Sequence, residues 1–390
     1  MKQSTLLNSA SFVGQFAISM VNLAFVYYLT KSFFVSATMI GLAATLYTGS
    51  YFIFCLVLEP LTSSMKPRHS VELSMIGMAF SVGVILYTNH IAVVLVMLVM
   101  YGFFMSFLWP QVETWLARGK EGRELSNATS SFNVSWSVGT ALSPLVTGAL
   151  VMRNTKAPLY LGVILFIITY LFVAISTKRH PHLRAITSEK EHIERGDKVD
   201  ESTPLRFVSW GGVVTVYTAL AVILNIFPLY AMDELPFNEQ TVGILLLLRG
   251  GATVVMFYYL GKTEWWHFNK PLILLTLLLF SLLCVWGTII NSFLSYALFF
   301  FLFGALFAAS YSYSIFHGAS GSLHRSKRML IHETLLTLGT IIGSLVGGFV
   351  YQKINFDTVL YVCAIVVLIP VLFSGVSSLF AREKVLKRAP

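Results

Sequence analysis

Apolar stretches of roughly 20 residues or more follow one another along almost the whole chain, separated by short polar breaks. In helical rise such a stretch matches the hydrocarbon core of a bilayer, so each reads as a membrane-spanning helix. Twelve are predicted, at about 5–30, 36–60, 70–88, 91–117, 125–152, 157–177, 206–231, 239–261, 270–290, 293–317, 327–351 and 357–381. One break is long. It opens on Lys178, Arg179, His180, His182 and Arg184 and continues as mixed charge to Pro204. The chain thus divides into six spans over 1–177, a linker over 178–205 and six spans over 206–390. A transmembrane barrel would alternate in short segments; these runs are unbroken.

Composition narrows the class further. Of 390 residues, 56% are hydrophobic and only 12% charged, against about 25% charged in a soluble domain. A soluble enzyme and a disordered chain are both excluded. Cys55, Cys284 and Cys363 all fall inside apolar runs and read as packing residues. The net charge of +9 is explained by where the basic residues fall. With both termini cytoplasmic, 22 Lys and Arg lie in inner segments and four, Lys31, Arg153, Lys156 and Lys353, in outer ones. Arg249 is the remaining one. Topology accounts for the charge, so nucleic acid is not called for as a partner. The first span is followed by no small-residue cleavage site and reads as uncleaved. Outer loops carry no N-x-[ST] sequon, which fits a bacterial inner membrane.

The two halves repeat. Gly41, Gly49 and Gly102 match Gly243, Gly251 and Gly304 at an offset of 202; Gly139-Thr140, Leu145-Val146 and Gly148 match Gly339-Thr340, Leu345-Val346 and Gly348 at 200. The fold class that follows is all-α: twelve transmembrane helices in two pseudo-symmetric six-helix bundles. Duplicated halves rocking about a midplane site are a transporter architecture.

The fifth span carries Gly139-x3-Ser143-Pro144-x2-Thr147-Gly148 and the eleventh Gly339-x3-Gly343-x3-Gly347-Gly348. Small residues every four positions form a face on which helices approach closely. Gly139, Ser143, Pro144, Gly148, Gly339, Gly343 and Gly347 are therefore packing residues, and the reading places them where the halves meet, as part of a gate. Taken with the six-plus-six repeat and the central linker, the fifth-span motif resembles the major facilitator superfamily, whose pattern there is G-x3-G-P-x2-G-G; Ser143 and Thr147 replace two glycines. The loop Glu59-Pro-Leu-Thr-Ser-Ser-Met-Lys66-Pro-Arg68-His69 is similar to the family's G-x3-D-R-x-G-R-R. Its basic end survives, serine stands at the acidic position, and Glu59 is the carboxylate available to replace it. Gly261-Lys262-x-Glu264-Trp265-Trp266 resembles a further degenerate copy. The resemblance implies fold and transport, not a substrate.

Ionisable residues inside spans are costly and mark function. Arg249 lies ten residues into the eighth span, about 15 Å deep at 1.5 Å per residue, and aligns with Tyr47 of the other half. A guanidinium at that depth needs an anionic solute or a carboxylate partner. Glu113 follows Trp109 by four residues, one helical turn, so the two share a face suited to a polar or cationic solute. The other reading of Glu113 is an inner-gate ion pair with Arg118 or Arg123. His332 and Glu333 open the eleventh span; with Glu113 they are the proton-coupling candidates, although a carboxylate is also simply favourable at a helix N-terminus. Asn225, Tyr311 and Tyr313 complete the substrate-binding candidates, Tyr311 aligning with Trp109; Asn22 and His317 are weaker.

There is no G-x4-G-K-[ST] and hence no ATP-driven pump; His332-Glu333 is not HExxH; no metal cluster and no cofactor are called for. The expected molecule is a monomeric secondary transporter of a small solute in a lipid bilayer, working by alternating access with Arg249 on the solute's anionic side. Export of amphipathic compounds stays open, as does a transport-inactive membrane sensor with Arg249 locked in an ion pair. A membrane enzyme lacks any nucleophile or metal set.

Overall fold

The computed structural model describes residues 3–117, 122–180, 202–322 and 325–386. Fifteen α-helices run through them: α1 Gln3–Phe33, α2 Ala37–Val57, α3 Glu59–Ser64, α4 Pro67–Tyr87, α5 Ile91–Met105, α6 Trp109–Ala117, α7 Gly122–Arg153, α8 Ala157–Arg179, α9 Leu205–Asn225, α10 Phe227–Asp233, α11 Glu239–Gly261, α12 Lys270–Trp286, α13 Phe293–Ala319, α14 Arg325–Lys353 and α15 Phe356–Leu386. Eleven segments are long and apolar enough to cross a membrane, and α12 is a shorter apolar helix of 17 residues. With it the spans number twelve, and the protein is an integral, multi-pass membrane protein. Residues 181–201 of the expected linker lie outside the described residues.

Two spans expected to be continuous are interrupted. The fourth breaks between α5 and α6, just before Pro110, and the seventh at Ile226, just before Pro228. A proline ring lacks the N–H that would bond back one turn and crowds that turn's carbonyl. The second span ends at Val57, and Pro60 instead sits in the first turn of the short α3. Entry points are set by side-chain caps. Ser36 accepts from the Met39 amide to start α2 and Asn238 from the Thr241 amide to start α11; the two caps are 202 residues apart, like the repeat.

The same symmetry governs packing. α1 lies against α7 as α9 lies against α14; α2 against α5 as α11 against α13; α4 against α8 as α12 against α15. Buried apolar clusters form around Phe25, Tyr101 and Phe166 in the first half and Phe227, Phe280 and Phe303 in the second, with a third, small one of Val213, Tyr311 and Leu336. Large apolar side chains such as Phe80, Leu294, Ile365 and Phe373 remain exposed on the outside, as a lipid-facing surface requires. Lipid is as apolar as leucine, so close backbone packing rather than burial from water holds such helices together. Gly102 packs on the Tyr47 carbonyl and Gly304 on that of Arg249, each leaving no room for a Cβ. These four residues are two equivalent pairs at the 202 offset.

The small-residue faces divide in two, which corrects the expectation that all lie between the halves. Gly139 meets the Phe12 carbonyl, Gly339 that of Val214, Gly343 that of Thr218, and Gly347 the Val222 side chain, all inside one bundle. Gly148 instead meets the Glu239 carbonyl and Gly348 that of Ala37, while Gly243 meets the Pro144 carbonyl and Gly41 that of Ser344. These four contacts join the bundles, through α7 with α11 and α2 with α14. The motif's residues fall one helical turn apart, and a shift of 100° per residue takes the end of the run from one neighbour to another. Ser143, fully buried, turns its hydroxyl back on the Thr140 carbonyl of its own helix at 3.3 Å. Gly343→Leu is therefore expected to lower the melting temperature of the purified protein, overpacking a bundle interior by about 1–3 kcal/mol or more. Gly348→Leu should leave that temperature closer to wild type and wedge the bundles apart. Its readout is faster maleimide labelling of an Ala44→Cys reporter, buried one turn deeper on α2; unchanged labelling would contradict the assignment.

In the loop resembling the family motif, Glu59 does not take up the ionic role of the missing acidic residue. Glu59 makes no ion pair among the described residues. The basic end turns locally instead: Arg68 contacts His69 at 3.1 Å, and His69 contacts Glu72 at 3.2 Å.

Candidate functional site

The bundles are sealed at the end opposite the chain termini. Here the backbones of α2 and α14, and of α7 and α11, meet at the glycines described above. Polar bonds across the seam add to this. Gln352 accepts from the Thr38 amide at 3.0 Å, and Lys31 pairs with Glu239. That ion pair was invisible in the sequence, because Lys31 and Glu239 are 208 residues apart and each sits at an ordinary helix end.

Arg249 lies below this seal. Gly250 packs on Ala141 of α7, and the Arg249 carbonyl lies under Gly304 of α13, so its backbone is clamped from both sides. The residue is 3% exposed, and its Nε is buried without a hydrogen-bond partner. No carboxylate lies within ion-pair distance of it among the described residues. Its charge acts instead on the Tyr217 hydroxyl of α9. Tyr217 lies in an aromatic row with Phe307 at 5.2 Å and Tyr311 at 6.3 Å between ring centroids. Tyr311 faces Phe257 at 5.4 Å and His332 at 5.1 Å.

The row leads to a pair of acids. Glu113 of α6 and Glu333 of α14, one from each bundle, lie within electrostatic reach of one another. Both act on the hydroxyls of Tyr311 and Tyr51 and on the Cys55 thiol; Glu333 also acts on Tyr217. Neither acid is ion-paired among the described residues. Glu113 is exposed although Gln111, Val112 and Trp115 beside it are buried, and Glu333 is half-buried. Glu113 near the end of the fourth span and Glu333 near the start of α14 both lie toward the end that carries the termini, away from the seal. Arg118, one of the ion-pair partners considered for Glu113, lies outside the described residues.

The remaining candidates separate. Tyr47 packs edge-on against Tyr101 at 6.0 Å inside the first bundle, and Trp109 stands half-buried against Phe132 at 6.3 Å. Asn225 donates to the Ser344 hydroxyl at 3.0 Å, tying α9 to α14 within one bundle. Tyr313 is turned to the far side of α13, where its hydroxyl meets that of Thr276 at 3.3 Å and its ring lies near Trp266. His332 is buried with Nδ1 at 2.7 Å from the Ser314 hydroxyl and Nε2 without a partner. His317 lies on the α12 side, its Nε2 accepting from the Phe268 amide at 3.2 Å. Arg249, Glu113, Glu333 and Tyr311 are thus brought together, and Asn225 and Tyr313 are not. Tyr51 and Tyr217 join the cluster without having been singled out, and Cys55, read from the sequence as a packing residue, joins it too. Tyr51 follows Tyr47 by one turn and could have been found on that ground. Tyr217 is one of 17 tyrosines, with nothing in its neighbourhood to distinguish it.

A family model described as Major Facilitator Superfamily matches the chain over residues 7–314 and 209–388. Among solved structures, the nucleoside transporter NupG is similar with a TM-score of 0.75 at 13% identity, over 96% of this chain and 99% of that one. A mutant of the peptide transporter POT in complex with sulfate is similar with a TM-score of 0.76 at 11% identity, over 95% and 94%. The same transporter in complex with alafosfalin gives 0.75 at 12% identity, over 95% and 94%. At these identities the likeness is one of fold. No curated protein matches the sequence significantly.

Proposed function

This chain belongs to the Major Facilitator Superfamily, and from that premise we propose that it is a secondary active transporter moving a small solute by alternating access, with Arg249 anchoring an anionic group of that solute. The observation that carries the anchor is the guanidinium itself: buried at mid-span, its Nε unsatisfied, with no carboxylate in ion-pair range among the described residues. An uncompensated charge in a bilayer is costly, and a bound anion removes that cost each time the site fills. The ion-pair-locked reading of a transport-inactive sensor loses its support on the same ground. Glu113 and Glu333 are the groups we assign to proton coupling, because they come one from each bundle and lie within electrostatic reach of one another.

The bundles, taken as 1–177 and 206–390 with 178–205 as the linker between them, rock about a midplane site. Both termini are cytoplasmic, as the 22-to-4 distribution of basic residues supports, in a membrane whose lack of outer-loop sequons fits a bacterial inner membrane. The sealed end is then the external one. Reporter fusions after Lys198 and after Arg388 should read cytoplasmic and one at Glu234 external; an external linker would invalidate the orientation. The function itself is tested by a thermal-shift screen of the purified protein against solute classes at two pH values. Solutes carrying an anionic group are expected to raise the melting temperature, and Arg249→Ala should remove that shift while remaining folded. A response confined to neutral or purely cationic solutes sinks the anchor.

A further inference from the structure

Building on the reading of Arg249 as an anion anchor, we propose that the solute is a small zwitterion, whose anionic end docks on Arg249 and whose ammonium end docks between Glu113 and Glu333. The charge inventory of the cluster leads to this class. Among the described residues it holds one cation without a carboxylate partner and two carboxylates without a cationic partner. A purely anionic solute answers Arg249 and leaves the two acids facing each other. A purely cationic solute answers the acids and leaves the guanidinium buried and unpaired. A molecule bearing both charges answers both, and buried charges are stable where each is paired.

The spacing limits its size. Gly304 of α13 packs on the Arg249 carbonyl. Seven residues further along the same helix, about 10 Å at 1.5 Å per residue, Tyr311 stands beside His332 and within the field of Glu333. The Tyr217 hydroxyl lies within the electrostatic reach of both Arg249 and Glu333, and its ring sits in the row with Phe307 and Tyr311. Both charged poles therefore lie near one tyrosine, which favours an amino acid or a dipeptide over a long polyamine. Phe257, Phe307 and Tyr311 supply aromatic faces for an apolar side chain. Glu113 and Glu333 come from opposite bundles, so an ammonium between them draws the two bundles together once the solute is seated.

The test uses the purified full-length protein and a panel of the common amino acids and their dipeptides, each as the free zwitterion, the N-acetyl anion and the C-amide cation. At least one zwitterion should raise the melting temperature, and its N-acetyl and C-amide forms should bind at least about tenfold more weakly, the loss of one charge-assisted contact. The Glu113→Gln, Glu333→Gln double variant should bind the free zwitterion no better than its N-acetyl form. The comparison of ligand forms on wild type needs no variant to fold, and the ligand-free melting temperature of the double variant reports its own integrity. The zwitterion assignment is overturned if no zwitterion binds, if N-acetylation costs nothing, or if the double variant binds the zwitterion as wild type does. Should N-acetyl forms bind as well as free ones and Arg249→Ala abolish both, the zwitterion falls and the anion anchor stands. Binding indifferent to Arg249→Ala removes the anchor as well.

Discussion

Arg249→Ala combined with Glu113→Gln, or with Glu333→Gln, will not regain the binding that Arg249→Ala loses. A structural ion pair behaves otherwise: deleting one partner strands the other, and deleting both relieves the strain, so the matched double variant recovers. No such pair is present among the described residues, since neither acid lies within ion-pair distance of the guanidinium. Its charge acts on the Tyr217 hydroxyl, and its Nε waits without an acceptor. Removing one partner of a buried, hydrogen-bonded charge pair costs about 2–5 kcal/mol, or roughly 30- to 4,000-fold in affinity; Arg249→Ala should lose solute by that order. Arg249→Lys keeps the charge but not the planar fork, so it should bind more weakly than wild type while retaining some transport. Titration calorimetry on the two single variants and the two double variants decides the matter. Recovery of binding in either double variant sinks the anchor.

The second large effect is expected at the acids. In proteoliposomes under a pH gradient, one coupled proton supports about tenfold accumulation per pH unit, from 1.36 kcal/mol per unit. The Glu113→Gln, Glu333→Gln double variant should accumulate nothing above equilibrium, because amides carry no proton through the cycle. It should still exchange labelled for unlabelled solute across the membrane, at concentrations raised to offset weaker binding. Exchange without accumulation separates lost coupling from lost folding or a blocked path. Among the described residues, the other titratable groups near the pair are the hydroxyls of Tyr51, Tyr217 and Tyr311, the Cys55 thiol and His332. If the double variant still concentrates its solute, one of these carries the proton and the assignment to the acids fails.

The acid pair also marks how far a sequence reading reaches. Glu113 and Glu333 were each conspicuous, because a carboxylate in an apolar run stands out by composition alone. Their meeting was not legible. It depends on α6 being set off from α5 by the break before Pro110 and on α2 and α14 packing at Gly41 and Gly348. Tyr313 illustrates the opposite error. It lies two residues from Tyr311, about 200° around the helix, and so faces Thr276 and Trp266 rather than the acids.

Span number, the six-plus-six repeat and the bias of basic residues toward one face could all be read along the chain, because each depends on local composition. A bilayer imposes its thickness on every span separately, and duplicated halves keep duplicated small residues at a constant offset. Even Gly102 with Tyr47 and Gly304 with Arg249 could be aligned before their contacts were known. Which neighbour each face meets is a different kind of information. Gly343 and Gly348 belong to one run of small residues, yet the first packs inside its bundle and the second across to Ala37. The few residues between them rotate the contact onto another helix, and helix–helix choice follows from the fit of whole surfaces rather than from any residue's own preference. The Lys31–Glu239 bond at the sealed end, the absence of a carboxylate beside Arg249 among the described residues, and the convergence of Tyr51 and Tyr217 on the acids all follow from that fit.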